Sequence, residues 1–158
     1  MSLPVLDATD QRILGSLLEK QHTVPASYPL TLNALRTACN QTSSREPVTD
    51  YDEKTLTDAL KGLRDRRLVR VVWAEKGSRT LKYHQLLDAE LALADDERAL
   101  LTVLLLRGPQ SPGELRTRTE RLHPFADKDA VAACLTRLAD QPHPSIPLLK
   151  GRLAAATR

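Results

Sequence analysis

The first periodic pattern of apolar side chains lies near the start of the chain. Ile13, Leu14, Leu17 and Leu18 recur at i, i+1, i+4 and i+5, the spacing of one buried stripe along an α-helix. Asp7 stands before this stripe, where an aspartate can cap the first turn and complement the helix dipole. The pattern therefore predicts a first helix that begins after Asp7 and buries one face.

Two further helices and a pair of strands are predicted in the first half of the chain. Thr31 is a candidate N-cap for a second helix, and the polar residues 40–47 that follow indicate a loop. Apolar spacing predicts a third helix over residues 52–67. Residues 68–73 and 79–84 are rich in β-formers and are separated by turn residues, so they predict a hairpin.

The same order of elements restarts in the second half. The sequence DQRIL at residues 10–14 corresponds to DERAL at residues 96–100, and apolar positions farther along the two halves also correspond. The sequence SPGE at residues 111–114 is a capping box with proline at the first helical position. Prolines crowd the segment after residue 141, which leaves residues 146–149 as little more than one strand.

These patterns favour a mainly α fold with small β-hairpins, an α+β class, built from two units of similar helix order. Three helices followed by a hairpin are the order of a winged-helix unit. We expect a first unit at residues 1–87 and a second at 88–158, with a short or incomplete second wing and a joint at residues 88–94. Composition agrees, because aromatics are only 3% of the residues and the core must use aliphatic side chains, which helices accommodate well.

Several motifs in both halves closely resemble the bacterial YceH family. The motifs are TLNAL at 31–35, ACNQ at 38–41, SREPV at 44–48, LLRGPQ at 105–110, PGELR at 112–116 and RLHPF at 121–125. The likeness covers nearly the whole chain and implies tandem winged helices, but it implies no mechanism. The chain departs from the family after the third helix of the second unit, where the wing and the residues beyond it are short.

Charge is distributed unevenly, although the formal net charge is only +3. Residues 61–84 hold eight basic and two acidic groups, whereas residues 85–97 hold five acids and no lysine or arginine. Such a basic segment suits contacts with DNA phosphates, since lysine and arginine displace condensed counterions. The alternative is that these charges only protect an edge strand from pairing. The candidate DNA-binding residues are Thr57, Lys61, Arg64, Lys76, Arg79 and Lys82.

The third helix also carries charges that weaken this interpretation. Opposite its apolar stripe stand Lys54, Asp58, Lys61 and Asp65, which form two i, i+4 pairs of opposite sign. A face of alternating charge is usually solvated, and the aspartates would repel phosphates. Any contact with DNA would therefore use the flank at i, i+4, i+7 that Thr57 begins.

Two other features have open interpretations. The loop residues Asn40, Gln41, Arg45 and Glu46 either present a binding surface or, as we favour, secure the loop, with Asn40 ending the second helix in a left-handed conformation. The helix at residues 95–107 is apolar almost all round, which predicts an interface on its second face.

We expect Leu101 and Leu105 to be the outward-facing pair of that helix. Either the first unit or a second copy of the chain would cover them. The sequence does not decide between an intramolecular contact and a homodimer.

Enzymatic chemistry is not indicated. We find no phosphate loop, nucleophile elbow or metal-ligand spacing, and His22, His84, His123 and His143 are scattered, so we expect no enzyme activity, cofactor or metal. Cys39 and Cys134 lie in apolar helical patterns and are expected to be buried thiols.

Two functions remain open. The first is a DNA-binding, regulatory protein acting through the basic wing and third helix of the first unit. The second is a protein-interaction scaffold built on winged-helix units, without DNA. The chain has no signal-peptide pattern and no apolar run long enough for a membrane span, so we expect a cytoplasmic protein without membrane contacts.

Overall fold

The helices and strands of the computed structural model follow the order that the apolar patterns predict, with short additions. The structure describes residues 6–73, 77 and 79–140. Over these residues the fold is mainly α with one three-stranded antiparallel sheet, as predicted. The elements are α1 (Ala8–Thr23), a 3-10 turn (Pro25–Ser27), β1 (Leu30–Thr31), α2 (Leu32–Cys39), α3 (Glu53–Asp65), β2 (Val69–Trp73), β3 (Leu81–Gln85), α4 (Leu87–Leu91), α5 (Asp95–Arg107), α6 (Pro112–Thr119) and α7 (Lys128–Asp140).

Three of the helices begin at the caps that the sequence predicts. The Asp7 carboxylate accepts a hydrogen bond from the backbone N–H of Asp10 at 2.8 Å. The Asp10 carboxylate in turn accepts a hydrogen bond from the backbone N–H of Asp7. Thr31 caps α2, and Ser111 caps α6 in a capping box. Each cap satisfies an N–H group that lacks a helical partner and contributes on the order of 1 kcal/mol.

The sheet has one strand more than the predicted hairpin. β3 lies between β1 and β2, so that Tyr83 pairs with Leu30 on one side and with Val71 on the other. Strand β1 was not predicted, because two residues are too few to show alternation. This added strand makes β3 the central strand and leaves β2 at an edge.

Helices α1 and α5 pack directly against each other and are buried around most of their circumference. Burial is continuous over residues 10–19 of α1 and 99–106 of α5. At Gly15 the two helices come closest, because a Cβ there would lie 2.9 Å from Leu106 Cγ and 3.1 Å from Leu105 Cβ. The lack of a side chain at Gly15 therefore permits the close approach.

This packing covers the leucine pair predicted to face away from the second unit's own core. Leu101 is 0% exposed and Leu105 is 5% exposed within the single chain. Leu105 lies against Gly15 of α1, which makes the contact intramolecular. Neither leucine needs a second copy of the chain to remove it from water, and a homodimer stays an untested prediction.

The predicted joint at residues 88–94 overlaps a short helix, α4, that the sequence analysis did not identify. Leu87, the first residue of that helix, and Leu93, two residues beyond its end, belong to a hydrophobic cluster that contains residues of both halves. The division into residues 1–87 and 88–158 stays a prediction. The prolines and the single strand predicted for the second wing, at residues 142–149, lie outside the described residues.

The Gly15 contact can be tested by adding one methyl group. Gly15→Ala should lower the free energy of unfolding by about 1–3 kcal/mol, because Leu106 must move to admit the Cβ. Gly62→Ala in α3 is the matched control, since its Cβ would meet only Arg66 Nη2 at 3.8 Å. That substitution should raise the free energy of unfolding by up to about 1 kcal/mol through helix propensity. Urea denaturation measures both, and equal stabilisation by the two would contradict the close approach.

The burial of the α5 leucines makes a second prediction. Changing Leu101 and Leu105 together to Glu should abolish cooperative unfolding, because two charges would enter the core. The control changes Val24 and Val48, which are 41% and 55% exposed, to Glu and should leave the fold intact. Circular dichroism and mass in solution are the measurements. A leucine variant that stays folded and merely loses a dimer would show that a second copy covers this face.

Candidate nucleic-acid interface

Helix α3 exposes the flank that the charge spacing predicts. Leu56, Leu60 and Leu63 are at most 1% exposed and face the core. The spacing i, i+4, i+7 places three exposed side chains along one line on the flank of the helix, about 100° around its axis from that apolar face. These side chains are Thr57, Lys61 and Arg64.

One of the two ion pairs expected on α3 is present. Lys54 Nζ lies 2.7 Å from Asp58 Oδ2, and both side chains are exposed. Lys61 and Asp65 are also exposed, but no ion pair joins them or holds Lys61 to another described residue. The Lys61 ammonium group is therefore available to an external anion.

An open groove of about 600 Å³ lies between the C-terminal part of α3 and strand β2. Its charged lining consists of four cations and one carboxylate, and none of the cations is ion-paired with a described residue. The cations are Lys61, Arg64, Arg67 and Arg70, and the carboxylate is Asp65. The groove is therefore a concave surface with an excess of positive charge, which attracts anions.

Arg67 and Arg70 belong to the basic segment at residues 61–84 but were not among the predicted site residues. Alternation over residues 68–73 could have identified Arg70, because it stands between Val69 and Val71 on the opposite face of the strand. Arg67 carries no such signal. It lies in the turn between α3 and β2, with φ of 60°, where helical periodicity has ended.

Strand register extends the basic surface across the sheet. Arg70 pairs with His84 and Val72 pairs with Lys82, so that Arg70 and Lys82 are diagonal neighbours on one face. Lys82 is half-buried and belongs to the central strand β3. Protection of a sheet edge, the alternative for these charges, therefore does not account for Lys82.

His84 adds little positive charge to this surface near neutral pH. Burial lowers the pKa of His84 below its ordinary value, and the positive charge of Arg70 lowers it further. The Tyr28 hydroxyl lies 2.8 Å from His84 Nδ1, and burial raises the pKa of that tyrosine to about 12. The charge of the sheet face therefore comes from its lysine and arginine side chains.

The connection between β2 and β3 is described in part. Arg79 is exposed and has no ion-pair partner among the described residues, whereas Lys76 lies outside them. Trp73, at the end of β2, is 60% exposed. The hairpin thus presents a cation and a large aromatic ring to the exterior.

Hydrogen bonds within the chain hold the polar loop in place. Asn40 ends α2 with φ of −95°, so the predicted left-handed conformation is wrong, and Ser44 adopts it instead with φ of 56°. The Asn40 amide accepts a hydrogen bond from the Tyr51 N–H at 2.8 Å and donates to the Tyr51 carbonyl at 2.9 Å. This bridge holds the helix end and makes a left-handed turn there unnecessary.

Other residues of the loop form hydrogen bonds with more distant parts of the chain. Gln41 accepts a hydrogen bond from Lys20 Nζ at 2.9 Å, and the backbone N–H of Glu46 donates to the Leu106 carbonyl at 3.1 Å. Arg12, buried in α1, donates to the carbonyls of Cys39 and Pro47. The loop is thereby attached to α1 and to the end of α5.

A buried carboxylate at the centre of these contacts was missed by the sequence analysis. Glu19 in α1 is 0% exposed, and Arg45 donates to its two oxygens at 2.7 and 3.0 Å. Arg45 also donates to the Ala38 carbonyl, and Arg121 of the second half lies 2.5 Å from Glu19 Oε2. We call Glu19, Arg45 and Arg121 the Glu19 cluster. Its arginines stood in the SREPV and RLHPF motifs, which was the available signal.

The electrostatics of the Glu19 cluster favour the charged carboxylate. Burial by itself would raise the pKa of Glu19, but hydrogen bonds from Arg45 and Arg121, with their positive charges, lower it to about 2. Two guanidinium groups share this single carboxylate. The cluster therefore retains positive charge beyond what Glu19 neutralises.

The two cysteines are buried and their thiols are kept protonated. Cys39 and Cys134 are free and buried, as predicted, and burial raises their pKa values to about 11 and about 12. Within the described residues there is no group of three histidine, cysteine or acidic side chains that could hold a metal. No helix in that part of the chain is long and apolar enough to span a bilayer.

Comparison with known proteins matches nearly the whole chain to one family. The family model, described as "Protein of unknown function, DUF480", matches residues 6–153. A UPF0502 protein of Opitutus terrae is 51% identical over 148 residues, which are 93% of this chain and 64% of the relative.

Two other relatives show similar coverage. A UPF0502 protein of Pelobacter propionicus is 49% identical over 92% of this chain and 65% of its own length. A UPF0502 protein of Dechloromonas aromatica is 49% identical over 87% of this chain and 63% of its own length. The chain thus spans less than two thirds of the length of these curated relatives.

We expect the Glu19 cluster to contribute to the stability of the fold. Glu19→Gln should lower the free energy of unfolding at neutral pH by about 3–5 kcal/mol, because Arg45 would keep a buried charge without a carboxylate. Glu90→Gln, at an exposed position of α4, is the control and should change it by less than about 0.5 kcal/mol. Urea denaturation measures both.

The same experiment can be repeated as a function of pH. The folded pKa of about 2 lies below the ordinary 4.5, so the unfolded chain binds the proton first as the pH falls. The stabilisation from Glu19 is therefore complete above pH 4.5 and is lost progressively toward pH 2. Glu19→Gln should flatten the pH dependence across this window, and an unchanged pH profile would show that folding does not lower the pKa of Glu19.

Proposed function

The chain belongs to the DUF480 family, and we propose that it binds double-stranded DNA, in a regulatory role, through α3 and the β2–β3 hairpin. We further propose that these elements belong to a winged-helix unit in its first half. The observation that carries the proposal is a concentration of basic side chains, without ion-pair partners among the described residues, on one continuous surface made by α3, β2 and β3.

The order of elements supports a winged-helix unit. A helix and a short strand precede two helices and a hairpin, and the short strand β1 adds to the hairpin beside β3. In winged-helix proteins the third helix commonly enters the major groove and the hairpin contacts the backbone or the minor groove. Here the third helix is α3 and the hairpin is β2–β3. Helices α5, α6 and α7 repeat the helix order and correspond to a second unit.

The pairing of basic side chains separates this surface from other parts of the molecule. Arg45, Arg98 and Arg121 hold carboxylates within the chain. The cations of the α3 groove have no such partner among the described residues, so their charges repel one another until an anion is present. A duplex supplies closely spaced phosphates and releases counterions when cations bind them.

Phosphate contacts and sequence reading would use different residues. Arg67 and Arg70 lie in the turn after α3 and on β2, where they suit phosphates, which carry no sequence information. Thr57, Lys61 and Arg64 line the exposed flank of α3 and suit base edges in the major groove. We therefore propose that α3 provides any sequence preference and that the hairpin provides affinity.

A protein-interaction scaffold is the second candidate. It is favoured by the 60% exposure of Trp73, since exposed aromatics are enriched in protein interfaces, and by the solvated Lys54–Asp58 pair on α3. A surface of this kind would bind a protein partner or a second copy. The two candidates differ in their salt dependence on duplex DNA.

The test is a titration of random duplex DNA at several salt concentrations. The unchanged protein should bind with an affinity that falls steeply as salt rises. Changing Arg64 and Arg70 together to Gln should weaken binding and reduce the slope of log K against log salt by about 1, because Arg70 is the phosphate contact of the pair and Arg64 the base contact. Both side chains are exposed, so the fold should be preserved.

The matched control removes two positive charges elsewhere. Lys54 and Lys128 are exposed and lie outside the groove lining, and changing both to Gln alters the net charge equally. That variant should retain most of the affinity and the slope. If the unchanged protein shows no salt-sensitive binding even in dilute buffer, the scaffold replaces DNA binding as the proposal.

A further inference from the structure

A second concave surface lies where α5 ends, and none of its lining residues lines the α3 groove. This cavity has a volume of about 390 Å³, within the range of small-molecule sites. It is bounded by the C-terminal part of α5, by α6 with the turn that follows it, and by Ser44 of the polar loop. We call it the arginine pocket.

The charged lining of the arginine pocket is mainly positive. Arg107, Arg118 and Arg121 face one carboxylate, that of Glu120. Val103 and Leu106 supply apolar lining beside these charges. The pocket therefore combines several guanidinium groups with a small apolar surface.

The three arginines differ in what they already hold. Arg118 donates to the Gln110 side chain at 2.8 Å and lies 3.4 Å from Glu114. Arg121 uses one nitrogen, Nη2, on Glu19. Arg107 has no hydrogen bond or ion pair through its side chain to any described residue. It is the cation most available to a ligand.

The surroundings of Arg107 make its unpaired charge unfavourable. Partial burial lowers the pKa of Arg107, and the positive charge of Arg118 lowers it further. Glu46 opposes this shift, whereas Arg121 and Arg45 add to it. Arg121 cannot relieve this, because it shares the Glu19 carboxylate with Arg45. An added anion would offset the excess charge of this region.

We infer that the arginine pocket binds a small organic anion. Its carboxylate or phosphate would be held by Arg107 together with the free nitrogens of Arg121, since guanidinium groups bind such oxyanions with paired hydrogen bonds. A short apolar portion would rest on Val103 and Leu106. The bound anion would join the end of α5 to the turn after α6.

Phenyl phosphate and benzoate are suitable probes, with inorganic phosphate as a third. Each of the first two carries an oxyanion and a ring that the pocket volume accommodates, whereas inorganic phosphate lacks the apolar portion. Isothermal titration calorimetry on the intact chain should show saturable binding of phenyl phosphate or benzoate, tighter than that of inorganic phosphate. The tighter of the two organic probes identifies the oxyanion that the pocket prefers.

Arg107→Gln is the test variant, because the Arg107 side chain makes no hydrogen bond or ion pair with a described residue. It should weaken binding of the preferred probe by about tenfold or more, with circular dichroism and thermal unfolding of the free protein unchanged. Arg107→Lys retains the charge without the paired donors. Its affinity for the probe should lie between those of the unchanged protein and Arg107→Gln. The Arg64→Gln, Arg70→Gln variant is the control and should bind the probe as the unchanged protein does.

Failure of this inference can be distinguished from failure of the proposed DNA binding. The inference fails if neither organic probe binds in the millimolar range, or if Arg107→Gln and the groove variant weaken probe binding equally. In the latter case the anion recognises general positive charge, and the α3 groove explains it. Because DNA and probe are measured on the same variants, either proposal can fail while the other survives.

Discussion

Glu19 lies on the buried side of α1, where a carboxylate can remain ionised only if cations and hydrogen-bond donors surround it. Arg45 reaches it from a loop 26 residues away in sequence, and Arg121 reaches it from the second half, 102 residues away. Losing either guanidinium would leave less compensation for a buried charge. The positions of the polar loop and of the turn after α6 are therefore coupled to one residue of α1.

The packing of α1 on α5 also couples the second half of the chain to α1, here through apolar contacts. Both helices are buried nearly all round, and Gly15 lets α1 approach Leu105 and Leu106 closely. An apolar circumference on α5 is explained by this double burial, with the second half on one side and α1 on the other. Polar and apolar contacts together give the two halves a shared interior, which fixes the surface on which α3 and the hairpin are presented.

Arginine has two kinds of environment in this molecule, and the difference supports the proposed functions. Arg45 and Arg12 spend their donors on carboxylate and carbonyl groups of the interior. Arg64 and Arg70 on the α3 groove and Arg107 in the arginine pocket hold no carboxylate of the described chain. Residue type and charge count alone do not separate these groups, since all of them are arginines in a chain of modest net charge.

What the sequence determined by itself is local in origin. Asp7 and the serine at 111 cap helices through contacts three residues away, and apolar side chains at helical spacing mark the buried face of α3. Such signals act within one or two turns, so helix starts, the hairpin and the exposed flank of α3 were predictable. The tertiary structure alone decided that β1 joins β3, that Leu101 is covered within the chain, and that Glu19 meets its arginines. These contacts join residues far apart in sequence, and their free energy comes from burial and charge pairing that exist only once the chain is folded.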